Sequence, residues 1–341
     1  MRIGKNPAAG ENNLKIDSYH RVIIPVYIPN LNDTYFKYSF QIFQMCIRSL
    51  IYTVHIGTRI SLYSNGSCKE VLDYLHEIKS KEAVIDQLFI SDKNVGKINA
   101  VNTCIRGNIE QLITITDADV LFKAGWQQAV ENIFVTFPKA GMVSPVPVSN
   151  LYKQQEASNT IGYGFFKRQL KFMSIKDLEG LKRFEQSVGS KLFNGERSSK
   201  FLCLSNTLGD AVVGCGHFVA TLRREVFEKS PRYPSYDLIS SASDRDYIDV
   251  PNNKSGFLRL ACIENKAFHM GNTPEEWMQR ELNQSKVKGK DYKDILTEIP
   301  KAKTIGGFKR WIYTMIYKCT MQINVVRKMY FRMLGMTDTT Y

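Results

Sequence analysis

The stretch ITITDADVLF, residues 113–122, decides how this chain reads. A run of β-branched and apolar residues has the composition of a buried strand. It stops at two aspartates, Asp117 and Asp119, separated by Ala118. The chain carries a formal net charge of +13, so paired negative charge at the end of a core strand needs a physical reason.

The reason comes from what precedes it. RVIIPVYI (21–28) has the length and composition of a buried strand, and residues 35–54 carry apolar side chains at helical spacing. RISLYSNG (59–66) reads as a second strand ending in a turn, 69–80 as a helix, and 84–91 as a third strand. A short helix over 96–107, stopped by Gly107, leads to the fourth strand at 111–119. A helix over 124–137 and an extended segment over 140–148 follow. Strand alternating with helix predicts an α/β domain with a largely parallel sheet. Such sheets bind ligands beyond the carboxyl ends of their strands, which places Asp117 and Asp119 on the rim of a ligand crevice.

Residues 149–206 break this rhythm. They are polar and basic with interleaved aromatics, as in YGFFKRQLKF (163–172), and predict an inserted subdomain with one helix over 174–188, where Ser174 and Asp177 form a capping box. The α/β pattern resumes over 210–230 as a bent strand followed by a helix.

With 341 residues, 43% hydrophobic and 23% charged, the chain can bury a substantial core and is not a disordered sequence. Seven scattered cysteines with no CxxC pair argue for reduced thiols in a cytosolic protein rather than a disulfide framework or a zinc site. The first fifteen residues hold no apolar h-region and no run of 18 apolar residues occurs, so neither a secretory signal nor a spanning helix is expected. From Lys286 onward twelve Lys/Arg face four acids, a local +8 that suits an anionic partner.

Two carboxylates at spacing two on an extended chain face one side and can hold a divalent cation with the ribose or phosphates beside it. The alternative is a polar turn in which Asp119 caps the next helix. In NVGKINAVNTCIRG (94–107), Gly96 lets backbone approach an anion and Lys97 adds a mobile positive charge. GCGHFV (214–219) lacks the third glycine of a dinucleotide-binding turn, and His217 within it is a candidate acceptor-site residue.

Taken together, VIIPVYIP (22–29), LYSNGS (62–67), Asn94/Gly96/Ala100/Asn102 and the DXD motif of Asp117 and Asp119 resemble the inverting glycosyltransferases of family 2, over roughly residues 20–125 and more loosely over 210–272. The resemblance implies a GT-A fold: a Rossmann-like, mostly parallel sheet flanked by helices. It implies that a nucleotide-sugar donor sits against Pro25, Tyr27, Asn65, Asn94, Gly96, Lys97, Asp117 and Asp119. Asn65 stands where the family has an acid that contacts the base. Gly214–Gly216 and Arg223-Arg224-Glu225-Val226-Phe227 match the family's glycine strand and RR..F segment. The family's ED.D motif falls on Ser243-Asp244-Arg245-Asp246, which assigns the catalytic base to Asp244 with a serine in place of the usual glutamate. His269 in KAFHMGN completes a metal site for Mn²⁺ or Mg²⁺ with Asp119 and Asp117.

The expected organisation is a catalytic domain over 1–272 and a basic helical region over 273–341. In the latter, residues 306–335 carry a stripe running from Phe308 and Trp311 through Met315 to Met333 and Leu334, ringed by basic residues. That pattern suits either an anionic membrane surface or packing on the protein itself. The expected activity is metal-dependent, inverting transfer of a sugar to a glycan or lipid-linked acceptor, in bacterial surface polysaccharide synthesis and at the cytoplasmic face of the membrane. Two other classes stay in view. A metal-dependent nucleotidyltransferase also places acids at a strand end. A basic, non-catalytic nucleic-acid-binding protein would share the charge, but no nucleic-acid motif is present and no such partner is expected. A homo-oligomer is left open.

Overall fold

The strand His20–Val26 (β1) lies in the core, with Val22, Ile23, Ile24 and Val26 fully shielded from solvent. It is read here from a computed structural model that describes residues 3–6, 17–148, 150–191 and 199–336. Ser149 and residues 192–198 of the expected insertion, and most of the N-terminal stretch read above, lie outside the described residues.

On one side β1 pairs in parallel with Thr58–Asn65 (β2), which pairs in parallel with Ile85–Ser91 (β3); on the other it pairs in parallel with Leu112–Thr116 (β4). The helices Ser39–Thr53 (α1), Lys69–Lys81 (α2) and Lys97–Arg106 (α3) make the crossovers. α1 buries Ile42, Phe43, Cys46, Ile47 and Leu50, spaced at three and four, on one face of the sheet. Each such side chain contributes roughly 1.5–3 kcal/mol on burial. The boundaries read from periodicity therefore fall within a few residues of the observed ones, because these elements bury one stripe or whole strands.

Beyond β4 the sheet changes character. After Val120–Phe122 (β5) and the helix Trp126–Thr136 (α4) comes Ala140–Ser144 (β6). Ser158–Lys167 (α5), Leu170–Ser174 (β7), Leu178–Ser187 (α6) and Lys200–Asn206 (β8) occupy the stretch that broke the rhythm. Gly209–Val213 (β9), Val219–Arg223 (β10), Ser241–Asp244 (α7), Val250–Lys254 (α8), Leu258–Ala261 (β11) and Ala267–His269 (β12) complete this half. Among the described residues one sheet has ten strands in the order β3-β2-β1-β4-β10-β6-β11-β9-β8-β7. β10 lies antiparallel between β4 and β6, β6 and β11 are parallel, and β9-β8-β7 is an antiparallel meander.

Three readings differ from the sequence expectation. The 149–206 stretch supplies two helices, but β7 and β8 extend the main sheet instead of standing apart. Within α6 the N-cap is Asp177, whose Oδ1 accepts from Gly180 N–H at 2.8 Å, and Ser174 belongs to β7. The 210–230 segment is two strands at separate places in the sheet, because Gly214, at φ +111°, turns the chain; only a 3₁₀ turn over Arg224–Lys229 follows.

The C-terminal region packs back on this body. Glu276–Lys288 (α9) lies on α1, and its Ser285 donates to the Phe122 carbonyl at 2.9 Å. Gly307–Tyr317 (α10) and Asn324–Met333 (α11) are joined by a π turn over Lys318–Gln322. α10 crosses α5 so closely that a Cβ on Gly162 would fall 2.3 Å from Tyr313 Cβ. The residues that bury are Tyr313, Tyr317, Met321 and Phe331. None belongs to the stripe read from the sequence; that stripe is mostly the outward face, since the fold needed large aromatics to fill the seam against α5 and Tyr152.

Candidate active site

The two aspartates sit where β4 gives out. Asp117 N–H donates to the Phe218 carbonyl and Met270 N–H donates to the Asp119 carbonyl, each at 2.8 Å. Two residues on, β5 pairs antiparallel with β12, in a register that sets His269 opposite Val120. A residue far downstream is thereby delivered to the carboxylate: His269 Nε2 lies 3.4 Å from Asp119 Oδ2. The helix-capping reading of Asp119 does not apply, since α4 starts after Gly125 with no side-chain cap.

The hydrogen-bond network assigns Nδ1 of that histidine as a donor. Ser187 Oγ, at the end of α6, donates its one proton to the Phe184 carbonyl at 2.8 Å. It can therefore only accept from His269 Nδ1, 3.0 Å away. In the neutral ring Nε2 then carries a lone pair, aimed at a carboxylate oxygen. Two electron-rich atoms facing each other require a cation between them, either a proton or a metal ion. The other Asp119 oxygen, Oδ1, is buried with no hydrogen-bond partner. Burial pushes the Asp119 carboxyl up to about 6, with Asp117 adding to the rise and His269 opposing it. A carboxylate–imidazole pair with an orphaned oxygen fits a hard or borderline divalent cation. Among the described residues no group of three or more His, Cys, Asp or Glu side chains is placed to hold a metal ion, so the expected set of Asp117, Asp119 and His269 is not assembled and only the Asp119–His269 pair remains of it.

Asp117 is engaged elsewhere. Lys97 Nζ, at the first turn of α3, lies 2.6 Å from Asp117 Oδ1. Burial opposes the charge of Lys97, but Asp117 and then Asp244 outweigh it and raise the ammonium above its ordinary value. The loop before α3 is anchored by amides. Asn65 Nδ2 donates to Asn94 Oδ1, which also accepts from Gly96 N–H, and Asn65 Oδ1 accepts from Val95 N–H. Asn65 is thus occupied in shaping the loop rather than presented to a base. Gly96, at φ +88°, admits a different neighbour from the expected anion: a Cβ there would meet the Asp237 carbonyl at 2.6 Å, and Lys97 N–H donates to the Leu238 carbonyl. The 231–240 loop therefore covers the start of α3.

Asp244 ends the short α7, whose cap is Ser240, accepting from Ala242 N–H at 3.0 Å. So Asp244 is no cap. Its Oδ1 is buried without a partner, and burial raises its carboxyl while Lys97 and His217 act against the rise. Asp246, the other acid of the motif, is exposed and paired with Arg245. His217 Nε2 donates to Asp249 Oδ2 at 2.7 Å, and Asp249 in turn lies 3.2 Å from Arg259 Nη2. Arg259 is fully buried and also donates to the Cys215 carbonyl and to Gln154 Oε1. This frame holds the His217 ring on the cleft wall through Nε2.

Asp117, Asp119, Asp244, Lys97 and the histidines His217 and His269 meet in one cleft of about 800 Å³, also lined by Pro25, Tyr27, Asn65 and Asn94. Of the sequence-derived site residues Gly96 alone is off the lining, behind Asn94. Reading the sequence missed Ser187, Asp249 and Arg259. No local motif marks them, because each acts through a partner distant in the chain.

No family model matches the chain, and no curated protein matches it. Among solved structures it is similar to the mannosyltransferase PcManGT from Pyrobaculum calidifontis, in complex with GDP-Man and Mn²⁺, at 12% identity, TM-score 0.45, over 93% of this chain and 73% of that one. It is also similar to S. aureus TarS 1–349, at 10% identity and TM-score 0.43, over 90% and 82%. A third likeness, to TarS 1–349 in complex with UDP-GlcNAc, has 11% identity and TM-score 0.30, and spans 38% of this chain and about a third (34%) of that one. At such scores these likenesses carry no argument about the chain, and the functional reading rests on the cleft.

Proposed function

We propose that the protein is a nucleotide-sugar-dependent, inverting glycosyltransferase. The observation that carries the reading is the Ser187–His269–Asp119 arrangement, which sets His269 Nε2 3.4 Å from a half-buried carboxylate on the rim of a parallel sheet. Asp119 Oδ2 and His269 Nε2 are the atoms to hold Mn²⁺ or Mg²⁺, which when bound supplies positive charge beside the donor's diphosphate. Lys97 adds a protein charge at the same place and orients Asp117 toward the ribose. Pro25 and Tyr27 line the base end, where Phe36 packs edge-on against Tyr27 at 5.8 Å. Asn65, Asn94 and Gly96 act by fixing the loop that carries Lys97.

Asp244 is the base. It takes the proton of the acceptor hydroxyl as that oxygen bonds to the anomeric carbon; the bond from that carbon to the diphosphate oxygen breaks, and its electron pair leaves with the diphosphate. Attack from the face opposite the leaving group inverts the anomeric centre. A carboxyl with a raised pKa accepts the proton more readily than an ordinary aspartate. His217, with Nε2 committed to Asp249, offers Nδ1 as an acceptor for a second hydroxyl of the incoming glycan. A glycan or lipid-linked acceptor in bacterial surface polysaccharide synthesis follows from the family resemblance.

A panel of nucleotide-sugars with and without EDTA tests the reading. Nucleoside diphosphate release that needs the cation, is lost in Asp119→Ala with weaker donor binding, and is lost in Asp244→Asn with donor binding kept, supports it. Pyrophosphate release from nucleoside triphosphates instead would assign the cleft to a nucleotidyltransferase.

A further inference from the structure

The outward face of the C-terminal helices is large, apolar and ringed by positive charge. Phe308 and Trp311 are 75% and 62% exposed, stacked with ring centroids 6.3 Å apart. Met315 continues their line on α10 at spacing four, and Val325, Met329 and Met333 form a second exposed line on α11 at spacing four. The inner face of the same helices is already satisfied by Tyr313, Tyr317 and Phe331 against the body, so the exposed lines are not awaiting that contact. α5 extends the surface beyond the tail: exposed Phe166 lies 5.4 Å from the Tyr313 ring, and Phe165 lies 5.6 Å from Tyr330.

The charge around these side chains has one sign. From Pro300 to Met336 the chain has eight Lys/Arg and no Asp or Glu. Lys139, from the turn before β6, and Lys167, at the end of α5, join Lys303 and Lys309 in one cluster. Burial and then the like charges of the other three depress the Lys139 ammonium. An anionic partner would relieve that repulsion. Exposed Phe308 and Phe166 adjoin Lys309 and Lys167 in the chain, and apolar side chains beside basic ones suit a partner with both anionic headgroups and an apolar interior, which a nucleic acid lacks.

We propose that α10, α11 and the exposed edge of α5 form one seat for an anionic lipid bilayer, lying in the interface rather than crossing it. No helix of the described residues is long and apolar enough to cross a membrane. The seat takes phospholipid headgroups on Lys139, Lys167, Lys303 and Lys309 and inserts Phe308, Trp311 and Phe166 between acyl chains. It does not rest on the glycosyltransferase reading.

The test is co-flotation of the full chain with vesicles of phosphatidylcholine, with and without phosphatidylglycerol, read together with tryptophan emission. Of the other two tryptophans Trp126 is buried and Trp277 packs half-buried on the core, so a blue shift that vanishes in Trp311→Phe reports this face. The expected result is flotation with phosphatidylglycerol vesicles only, weakened about tenfold by the paired change Lys303→Glu and Lys309→Glu and by the paired change Phe308→Ser and Trp311→Ser. Circular dichroism and thermal melting of each variant, unchanged from the parent, show that the surface and not the fold was altered. Lys167→Glu with Phe166→Ser weakens flotation too if α5 belongs to the seat. No flotation with phosphatidylglycerol at low salt overturns the proposal. So does binding to a DNA duplex that competes fully with the vesicles and is indifferent to Phe308 and Trp311, because that surface would then be a plain polyanion site.

Discussion

Asp119→Asn should stabilise the metal-free protein while removing its ability to hold a cation. Burial lifts this carboxyl from 3.8 to about 6. At about 1.36 kcal/mol per pKa unit, and discounting for the third of the side chain that solvent reaches, keeping it ionised at neutral pH costs the fold roughly 2–3 kcal/mol. Because the folded-state pKa lies above the unfolded one, the group's favourable contribution is complete below pH 3.8 and is lost as pH rises through about 6. Asparagine has no charge to desolvate. Allowing about 1 kcal/mol for a weakened hydrogen bond at this position, the variant gains about 1–2 kcal/mol near neutrality. The gain shrinks toward zero near pH 4. The assay is urea unfolding in EDTA, followed by tryptophan fluorescence across that pH range. Adding Mn²⁺ should then raise the midpoint of the parent and leave the variant unmoved. The reasoning is refuted if the variant is less stable than the parent at neutral pH, or if the difference between them does not change with pH.

Other expectations follow from neighbouring contacts. Lys97→Met removes the partner of Asp117 and a charge at the diphosphate position; nucleoside diphosphate affinity, measured by calorimetry, should fall about 10- to 100-fold, or 1.4–2.7 kcal/mol. His217→Gln and Asp249→Asn should raise the acceptor KM about tenfold while leaving nucleoside diphosphate affinity within about twofold; equal loss of both would move His217 to the donor side. Glu131 is buried, which works against its charge, yet hydrogen bonds from His20 and His55 hold its carboxyl well below the usual range. Glu131→Gln should therefore destabilise the fold by about 3 kcal/mol at neutral pH. That contribution, present above the ordinary carboxylate pKa, should fade on acidification, and an equal loss at all pH values would contradict it.

The legible part of the fold was the part built from local periodicity. β1, β2, β4 and the helices α1 to α4 each bury a whole strand or one helical stripe, as Val22–Val26 and Ile42, Phe43 and Ile47 illustrate, whereas β3 is half-exposed and β5 was not read as a strand. The antiparallel half was not legible, because β10 inserts between β4 and β6 by long-range pairing that no spacing announces. In the cleft, Asp117, Asp119, Asp244 and His269 were legible as residue types with a recognisable order along the chain. What fixes them was not. Ser187 sets the tautomer of His269 from a different helix, Arg259 and Asp249 hold His217 from below, and the β5–β12 register brings His269 to Asp119. Gly96 illustrates the same limit from the other side: its positive φ was foreseeable from a glycine at a helix start, whereas the carbonyl of Asp237 as its neighbour was not.

The central claim is that one divalent cation joins Asp119 and His269 to the diphosphate of a nucleotide. Anomalous diffraction from crystals soaked with Mn²⁺ and either UDP or GDP tests it most directly. The account predicts a manganese peak bonded to Asp119 Oδ2, His269 Nε2 and diphosphate oxygens, absent in Asp119→Asn crystals treated alike. A nucleotide bound in the cleft with no manganese beside these two side chains, or manganese bound only at another place, would contradict it.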